Sequence, residues 1–400
     1  MLKSANKDNF LKEIAKERDL LIIQDIDGVC IPLVKDPMCR TIRQDYLECV
    51  FNLKDSFFVL TCGEHEGFRG VNRIVERALN NTEIAKERGL YLPGLAACGV
   101  EYQDRYGNIS LPGITEAELF FLSKVPKKME DLLVKEIPKV LPMLTEKEIQ
   151  EQAKLAICDT RFSPTINLNS LFLITGNNVS LKIELQIMME NIMQEIIKLS
   201  NESNLRGSFY LHKSPNLGAN GDREIIKKAK PNDVGTTDIQ LIINGSLKEA
   251  GLLVLINKYI ESKKGFAPFG PGFNVKLAPK SMDELIAYCL DHINKSDMPL
   301  IVGVGDTVTS QVIKGEGKWL RGGSDRGFLT LIQQLGKAYN KANRIIFVDS
   351  SDGEVDRPSL KNGNLEGISD KEDNLKFDLT LPGGHKEYID FIKALESLRN

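Results

Sequence analysis

The sequence predicts an α/β protein built on a Rossmann-like parallel sheet, with a second α/β unit inserted between the two halves of that core. Three observations predict it. Four short apolar runs, at residues 20–24, 57–60, 298–304 and 344–348, each break off into small polar or acidic residues, as buried parallel strands do when they deliver side chains to their carboxyl ends. A helix-compatible stretch at 43–54 joins the first two runs, so the first sixty residues read as a β-α-β unit. From about residue 110 the periodicity turns helical, at 116–125, 146–157 and 181–199, broken by the loop Phe162-Ser163-Pro164-Thr165-Ile166-Asn167. The expected division is a first core part at 1–109, a lid-like cap at 110–237 and a second core part at 238–400.

At 400 residues the chain exceeds one average domain of about 100–200 residues. Its 42% hydrophobic and 27% charged content is that of an ordinary globular protein, and the formal charge of −3 argues against nucleic acid or anionic lipid as a partner. No apolar run reaches the roughly 18–20 residues that cross a bilayer. The N-terminal stretch, with Lys3, Lys7, Lys12, Lys16 and Arg18 among acids, lacks the apolar segment of a secretory signal, so the expectation is a cytoplasmic protein with no membrane contact. The seven cysteines are odd in number and never spaced C-x-x-C, and are expected as free thiols in a reducing compartment. Residues 349–376, rich in Ser, Asp, Gly and Asn, read as a long surface loop.

The first run, Leu20-Leu21-Ile22-Ile23-Gln24, ends in Asp25-Ile26-Asp27-Gly28-Val29. Gly28 lets the chain turn directly after the two acids, so both can share one pocket. One carboxylate can attack a phosphoryl group and form an acyl phosphate, while its neighbour protonates the leaving alkoxide and then deprotonates the hydrolytic water. Asp25 and Asp27 suit those two roles. The second run ends in Thr61-Cys62-Gly63, whose hydroxyl and amides can donate to phosphate oxygens. Lys248 opens a helix-like segment at 249–259 after the strand-like 239–243, and its ammonium can neutralise nucleophile and phosphate together. The third run ends in Gly305-Asp306-Thr307, and Asp306 can complete a site for a hard cation such as Mg²⁺. In an open α/β sheet such strand ends converge on one crevice. Taken singly, each signal has a plain structural reading: a turn, a solvated lysine or a helix cap. Their order along the chain carries the inference.

In that order, Asp25-Ile26-Asp27-Gly28-Val29, Leu60-Thr61, Lys248 and Gly305-Asp306 resemble the four motifs of the haloacid dehalogenase superfamily of phosphohydrolases. The resemblance implies Asp25 as nucleophile, Asp27 as general acid and base, and Thr61 and Lys248 as phosphate ligands. It also implies Mg²⁺ held by Asp25, Asp306 and the main-chain carbonyl of Asp27. The second acid that many members carry about four residues after Gly-Asp is here Ser310; Asp325 or Asp349 are the alternatives. Longer blocks, at 61–65, 89–97, 163–169, 303–311, 321–326 and 381–385, are similar to the glucosylglycerol-phosphate phosphatases of cyanobacteria. That resemblance implies hydrolysis of a small sugar phosphate, 2-O-glucosylglycerol 3-phosphate, to the compatible solute glucosylglycerol in salt acclimation. It also implies a partner, the glucosylglycerol-phosphate synthase, upstream. A sucrose- or trehalose-phosphate phosphatase is the rival enzyme, and a noncatalytic sugar-phosphate-binding regulator the rival class.

A polyhydroxylated substrate needs matching donors and acceptors. Glu64, His65 and Arg69, just past the second motif, are expected as substrate-binding residues beside the backbone amide of Cys62, with His65 at the site mouth and Asn167, Asn169, His212 and Asn216 as further candidates. Arg321 and Arg326, flanking Gly322-Gly323, could meet the phosphate or hold Asp325.

Overall fold

A computed structural model describes residues 4–158, 160–220, 223–231, 233–312, 317–355, 357–360 and 363–399. The chain divides into a larger unit, Met1–Gly113 with Gly245–Asn400, and a smaller one, Ile114–Asn244.

The larger unit begins with α1 (Ser4–Ala15), β1 (Leu20–Gln24), α2 (Gln44–Asn52), β2 (Phe57–Leu60), α3 (Val71–Leu79) and α4 (Thr82–Glu87). Three short strands, β3 (Gly94–Ala96), β4 (Glu101–Gln103) and β5 (Ile109–Ser110), close its first part. The smaller unit contains α5 (Glu116–Val140), α6 (Glu146–Leu155), β6 (Ile157–Cys158), β7 (Thr165–Asn167), α7 (Asn169–Thr175) and α8 (Val179–Glu202). It ends with β8 (Phe209–Ser214), β9 (Asn216–Asn220), β10 (Arg223–Ile226) and β11 (Asp238–Ile243). The larger unit then resumes with α9 (Lys248–Lys264), α10 (Met282–His292), β12 (Leu300–Gly305), β13 (Thr309–Val312) and β14 (Trp319–Gly322). Last come α11 (Arg326–Tyr339), β15 (Arg344–Val348), β16 (Leu379–Leu381) and α12 (Gly384–Arg399).

Among the described residues the main sheet has eight strands in the order β16-β15-β12-β1-β2-β3-β4-β5. The first six pair in parallel and the last two add an antiparallel edge. This is the α/β architecture with a largely parallel sheet that the apolar runs predict. β1 is buried at every position, as a strand covered on both faces must be. One side packs on α1, α2, α3 and α12 through Phe10, Tyr46, Val75 and Phe391, and α9 and α11 pack on β2 and β12. Because β12, β1 and β2 are neighbours, their carboxyl ends bring residues 306, 25 and 61 to the same edge of the sheet.

The smaller unit holds the sheet β6-β7-β11-β8, antiparallel throughout, with α5 and α8 packed together. The run at 239–243 that precedes Lys248 pairs here with β8 and β7, outside the main sheet. Helix α5 continues fifteen residues beyond its expected end, straight through Pro126 and Pro138. A stripe of Leu122, Val125, Met129, Leu133 and Ile137 stays buried across both prolines, and that burial outweighs a proline penalty of about 3 kcal/mol each.

One polar residue is built into β1. Gln24 is fully buried; its Oε1 accepts from Tyr46 Oη at 2.8 Å and Tyr388 Oη at 2.5 Å, and its Nε2 donates to the Asp25 carbonyl at 2.9 Å. The amide thus ties α2 and α12 to the backbone of the first acid. Gln24→Leu should destabilise the fold by about 2–4 kcal/mol, because two buried hydroxyls and a carbonyl lose their partner, whereas Tyr388→Phe should cost only about 0.5–1.5 kcal/mol. Urea denaturation of the two variants checks the ranking.

Candidate active site

The centre of the site is a buried ion cluster. Lys248, the first residue of α9, places Nζ 2.7 Å from Asp25 Oδ2 and 2.6 Å from Asp325 Oδ1, and all three side chains are less than a tenth exposed. Asp25 Oδ1 accepts from the Ile26 amide at 2.7 Å, so both oxygens of this carboxylate are held. Asp325, directly before α11, turns its Oδ2 to the amides of Asp306 and Thr307 at 2.9 Å each. It thereby locks the turn that carries Asp306.

Asp306 accepts from Thr307 Oγ1 at 3.0 Å through Oδ1, while its buried Oδ2 has no hydrogen-bond partner among the described residues. Carboxylate oxygens of Asp25, Asp306 and Asp325 lie within 4.8 Å of one another. Three buried acids against one ammonium leave an excess of negative charge. Burial lifts Asp25 to about 7; Lys248 opposes the rise and Asp325 adds to it. Burial, then Asp325 and Asp25, push Asp306 well above the usual carboxylate range. Burial works against the charge on Lys248, but the two carboxylates outweigh it and hold the lysine above its ordinary value. An orphaned oxygen among crowded acids, all oxygen donors, fits a hard divalent cation.

Two motif glycines follow from this crowding. A Cβ on Gly28, which has φ +81°, would lie 2.2 Å from Asp306 Oδ2, and one on Gly305 would lie 2.7 Å from Asp325 Oδ2. Only glycine lets the backbone come this close to the carboxylates.

Of the three alternatives for the further acid, Asp325 joins the cluster. Ser310 is buried elsewhere, donating its hydroxyl to Asp370. Asp349 anchors the following loop, accepting from the amides of Ser351 at 2.9 Å and Leu360 at 2.7 Å. The signal for Asp325 lies in its setting, Gly322-Gly323-Ser324-Asp325 at a helix start, rather than in its spacing from Asp306.

Asp27 is not one of the three clustered acids. Its carboxylate is a third exposed and pairs with Arg40 Nη1 at 3.2 and 3.4 Å. Arg40, 7% exposed, is a residue that sequence reasoning missed, since an isolated arginine in a loop carries no motif. Thr61 is buried beside the site strand with its Oγ1 accepting from the Gly63 amide at 3.3 Å.

Several expectations need correction. Cys62 is joined to Cys98 in a disulfide, so these two are not free thiols. The backbone brings them together: Thr61 and Gly63 carbonyls accept from the Cys98 and Ala97 amides at 3.0 and 2.6 Å. His65 is fully buried rather than at a site mouth; its Nε2 meets the Gly94 carbonyl at 3.2 Å and its Nδ1 faces Gln103 Nε2 at 3.4 Å. It braces the strand end from within. Glu64 is half-buried, its carbonyl accepting from the Val71 amide at 2.9 Å before α3, and Arg69 is exposed.

Arg321 and Arg326 meet neither Asp325 nor the cluster. Arg321 holds Asp370 at 2.8 and 2.9 Å, and Arg326 holds Asp373 at 2.8 and 2.9 Å. The described residues of 349–376 hold no helix or strand, as the surface-loop reading expects, and the loop is pinned by these two arginines and by the buried Ile368 and Leu375. In the smaller unit, Asn167 donates to Asp238 Oδ1, and its Oδ1 accepts from the Asn169 amide at 2.9 Å. His212 and Asn216 both contact Glu224, at 3.0 and 2.9 Å.

The Rossmann-like sheet thus gathers Asp-x-Asp-Gly after its central strand, Gly-Asp after the adjacent one and a buried lysine bridging Asp25 and Asp325, the residues whose order resembles the haloacid dehalogenase phosphohydrolases. Residues 19–396 match the family described as Glucosylglycerol-phosphate phosphatase. The Glucosylglycerol-phosphate phosphatase of Synechocystis sp. is 40% identical over 402 residues, covering 98% of this chain and 95% of that protein. The chain belongs to the glucosylglycerol-phosphate phosphatase family.

Among solved structures, a C. albicans trehalose-6-phosphate phosphatase C-terminal domain is similar at 11% identity and a TM-score of 0.45, covering 98% of this chain and 97% of that one. An Aspergillus fumigatus trehalose-6-phosphate phosphatase is similar at 10% identity and a TM-score of 0.44, with the same coverage.

Burial holds the His65 imidazole down at about 4, against an ordinary 6.5. The unfolded chain therefore binds the proton more readily. Stability contributed by the neutral ring is intact above pH 6.5 and is lost as pH falls toward 4, by on the order of 3 kcal/mol at most. His65→Gln should flatten that part of the stability profile, as chemical denaturation between pH 4 and 7 would read.

Proposed function

We propose that this chain is a cytoplasmic Mg²⁺-dependent phosphatase that hydrolyses 2-O-glucosylglycerol 3-phosphate to glucosylglycerol and phosphate through an aspartyl-phosphate on Asp25. Its place is the last step of compatible-solute synthesis under salt stress, after the synthase that supplies the phosphate ester. The observation that carries the reading is the Asp25 carboxylate, gripped by Lys248 and the Ile26 amide beside the unpartnered oxygen of Asp306. Family membership supports the substrate.

In this reading Asp25, Asp306 and the Asp27 main-chain carbonyl would hold the cation, and Asp325 bonds Lys248 and the amide of Asp306 behind them. A bound Mg²⁺ supplies the positive charge that keeps Asp25 ionised and offsets the charge of the phosphoryl oxygens. An Asp25 oxygen attacks phosphorus; the bond to the sugar-alcohol oxygen breaks, and Asp27 gives its proton to that oxygen. Water then attacks the same phosphorus, Asp27 takes a proton from it, and the bond between phosphorus and the Asp25 oxygen breaks with its electron pair returning to Asp25, which frees phosphate. Lys248 neutralises Asp25 and an equatorial phosphoryl oxygen, and Thr61 donates to another.

Asp25→Asn should lower turnover by on the order of 10⁴-fold or more while leaving the unfolding transition in place, since the amide keeps the shape but is no nucleophile. Retained phosphate release would remove Asp25 from this role. Asp306→Ala should raise the Mg²⁺ concentration for half-activity by at least about tenfold. Phosphate release from glucosylglycerol phosphate, sucrose phosphate and trehalose 6-phosphate, with Mg²⁺ or EDTA, tests the substrate: preference for either disaccharide phosphate would overturn it.

A further inference from the structure

We infer that Arg40 is a positioning residue for the proton-transfer step: its guanidinium fixes the Asp27 carboxylate at the leaving-group side of the site. The inference rests on the reading of Asp27 as general acid and base.

Arg40 lies in the loop between β1 and α2, thirteen residues after Asp27. Its guanidinium is buried, and each of its three nitrogens has a partner. Nη1 faces both Asp27 oxygens, Nε donates to the Pro37 carbonyl at 3.1 Å, and Nη2 donates to the Arg69 carbonyl. Arg77 of α3 in turn grips the carbonyls of Arg40 and Met38, each at 2.7 Å. The arginine is therefore held by the loop after β1, by the loop after β2 and by a helix, and presents one edge to a carboxylate that is otherwise a third exposed. A side chain used only to steady a surface loop needs no such frame. An acid that must meet an alkoxide oxygen in line with a breaking bond does, because a misplacement of about 1 Å costs on the order of 100-fold.

As the phosphorus–oxygen bond breaks, its electron pair moves to the leaving oxygen, which takes the proton from Asp27. Sugar-alcohol oxygens need that proton; 4-nitrophenolate and acetate leave without it. In kcat/KM, which reads only the steps up to loss of the leaving group, an effect routed through Asp27 therefore depends on the leaving group. An effect routed through phosphate binding or the fold does not.

The test compares Arg40→Ala, Arg40→Lys, Asp27→Asn and the Arg40→Ala/Asp27→Asn double variant on glucosylglycerol phosphate and on an activated ester, 4-nitrophenyl phosphate or acetyl phosphate. Arg40→Ala should lose on the order of 10- to 100-fold in kcat/KM on the alkyl ester, mostly in kcat, and much less on the activated one. Arg40→Lys should recover part of the loss. The ratio of the two substrates in one preparation is independent of the folded fraction, so a partly unfolded variant still reports. On the alkyl ester alone, the double variant should be no worse than Asp27→Asn.

Equal losses on both esters, or a double variant in which the two losses multiply, would overturn the role of Arg40. If Asp27→Asn itself loses equally in kcat/KM on both esters, the assignment of Asp27 as general acid fails instead, and the inference falls with it.

Discussion

The site is organised by the ammonium of Lys248, shared between Asp25 and Asp325 in a buried setting. A lone charge of either sign would be severely penalised there, and removing one member of such a set leaves the others uncompensated, at about 3–5 kcal/mol. The lysine therefore makes it tolerable to bury Asp25 and Asp325 side by side. One acid belongs to the turn after β1, the other to the start of α11, and the lysine to the start of α9. All three elements must be seated before the charges balance. Even then the balance is incomplete, and the raised values of Asp25 and Asp306 register the remaining negative charge.

Around that cluster the loops are fastened by polar contacts rather than by bulk packing. Asp325 spends one oxygen on the lysine and the other on two amides of the Asp306 turn. Gly28 and Gly305 allow the carboxylates to sit against the backbone. Farther out, Arg321 and Arg326 clamp the segment around Asp370 and Asp373, and the Cys62–Cys98 bond joins the turn after β2 to that after β3. This arrangement suits a site that must hold charged groups at fixed separations, since hydrogen bonds to ionised groups are directional and apolar contacts are not.

The smaller unit follows a different economy. The stripe from Leu122 to Ile137 keeps α5 continuous through two prolines, and its sheet is antiparallel, alternating buried and half-exposed positions along β8. Alternation of that kind marks a sheet covered on one face, in contrast to the uniformly buried β1.

By itself the sequence determined the larger plan. Uninterrupted β-branched runs can be satisfied only inside a doubly covered sheet, and the polar residues that end them must lie at its carboxyl edge, which made Asp25, Thr61 and Asp306 legible as neighbours. Lys248 was readable from its place at a helix start. Tertiary structure alone decided which partner each side chain took. Asp325 rather than Ser310 or Asp349 joined the acids, Arg40 took Asp27, His65 turned inward, and Cys62 met Cys98. Those choices depend on loops that approach from distant parts of the chain, and distance in space between loop side chains leaves no period or spacing in the sequence to read.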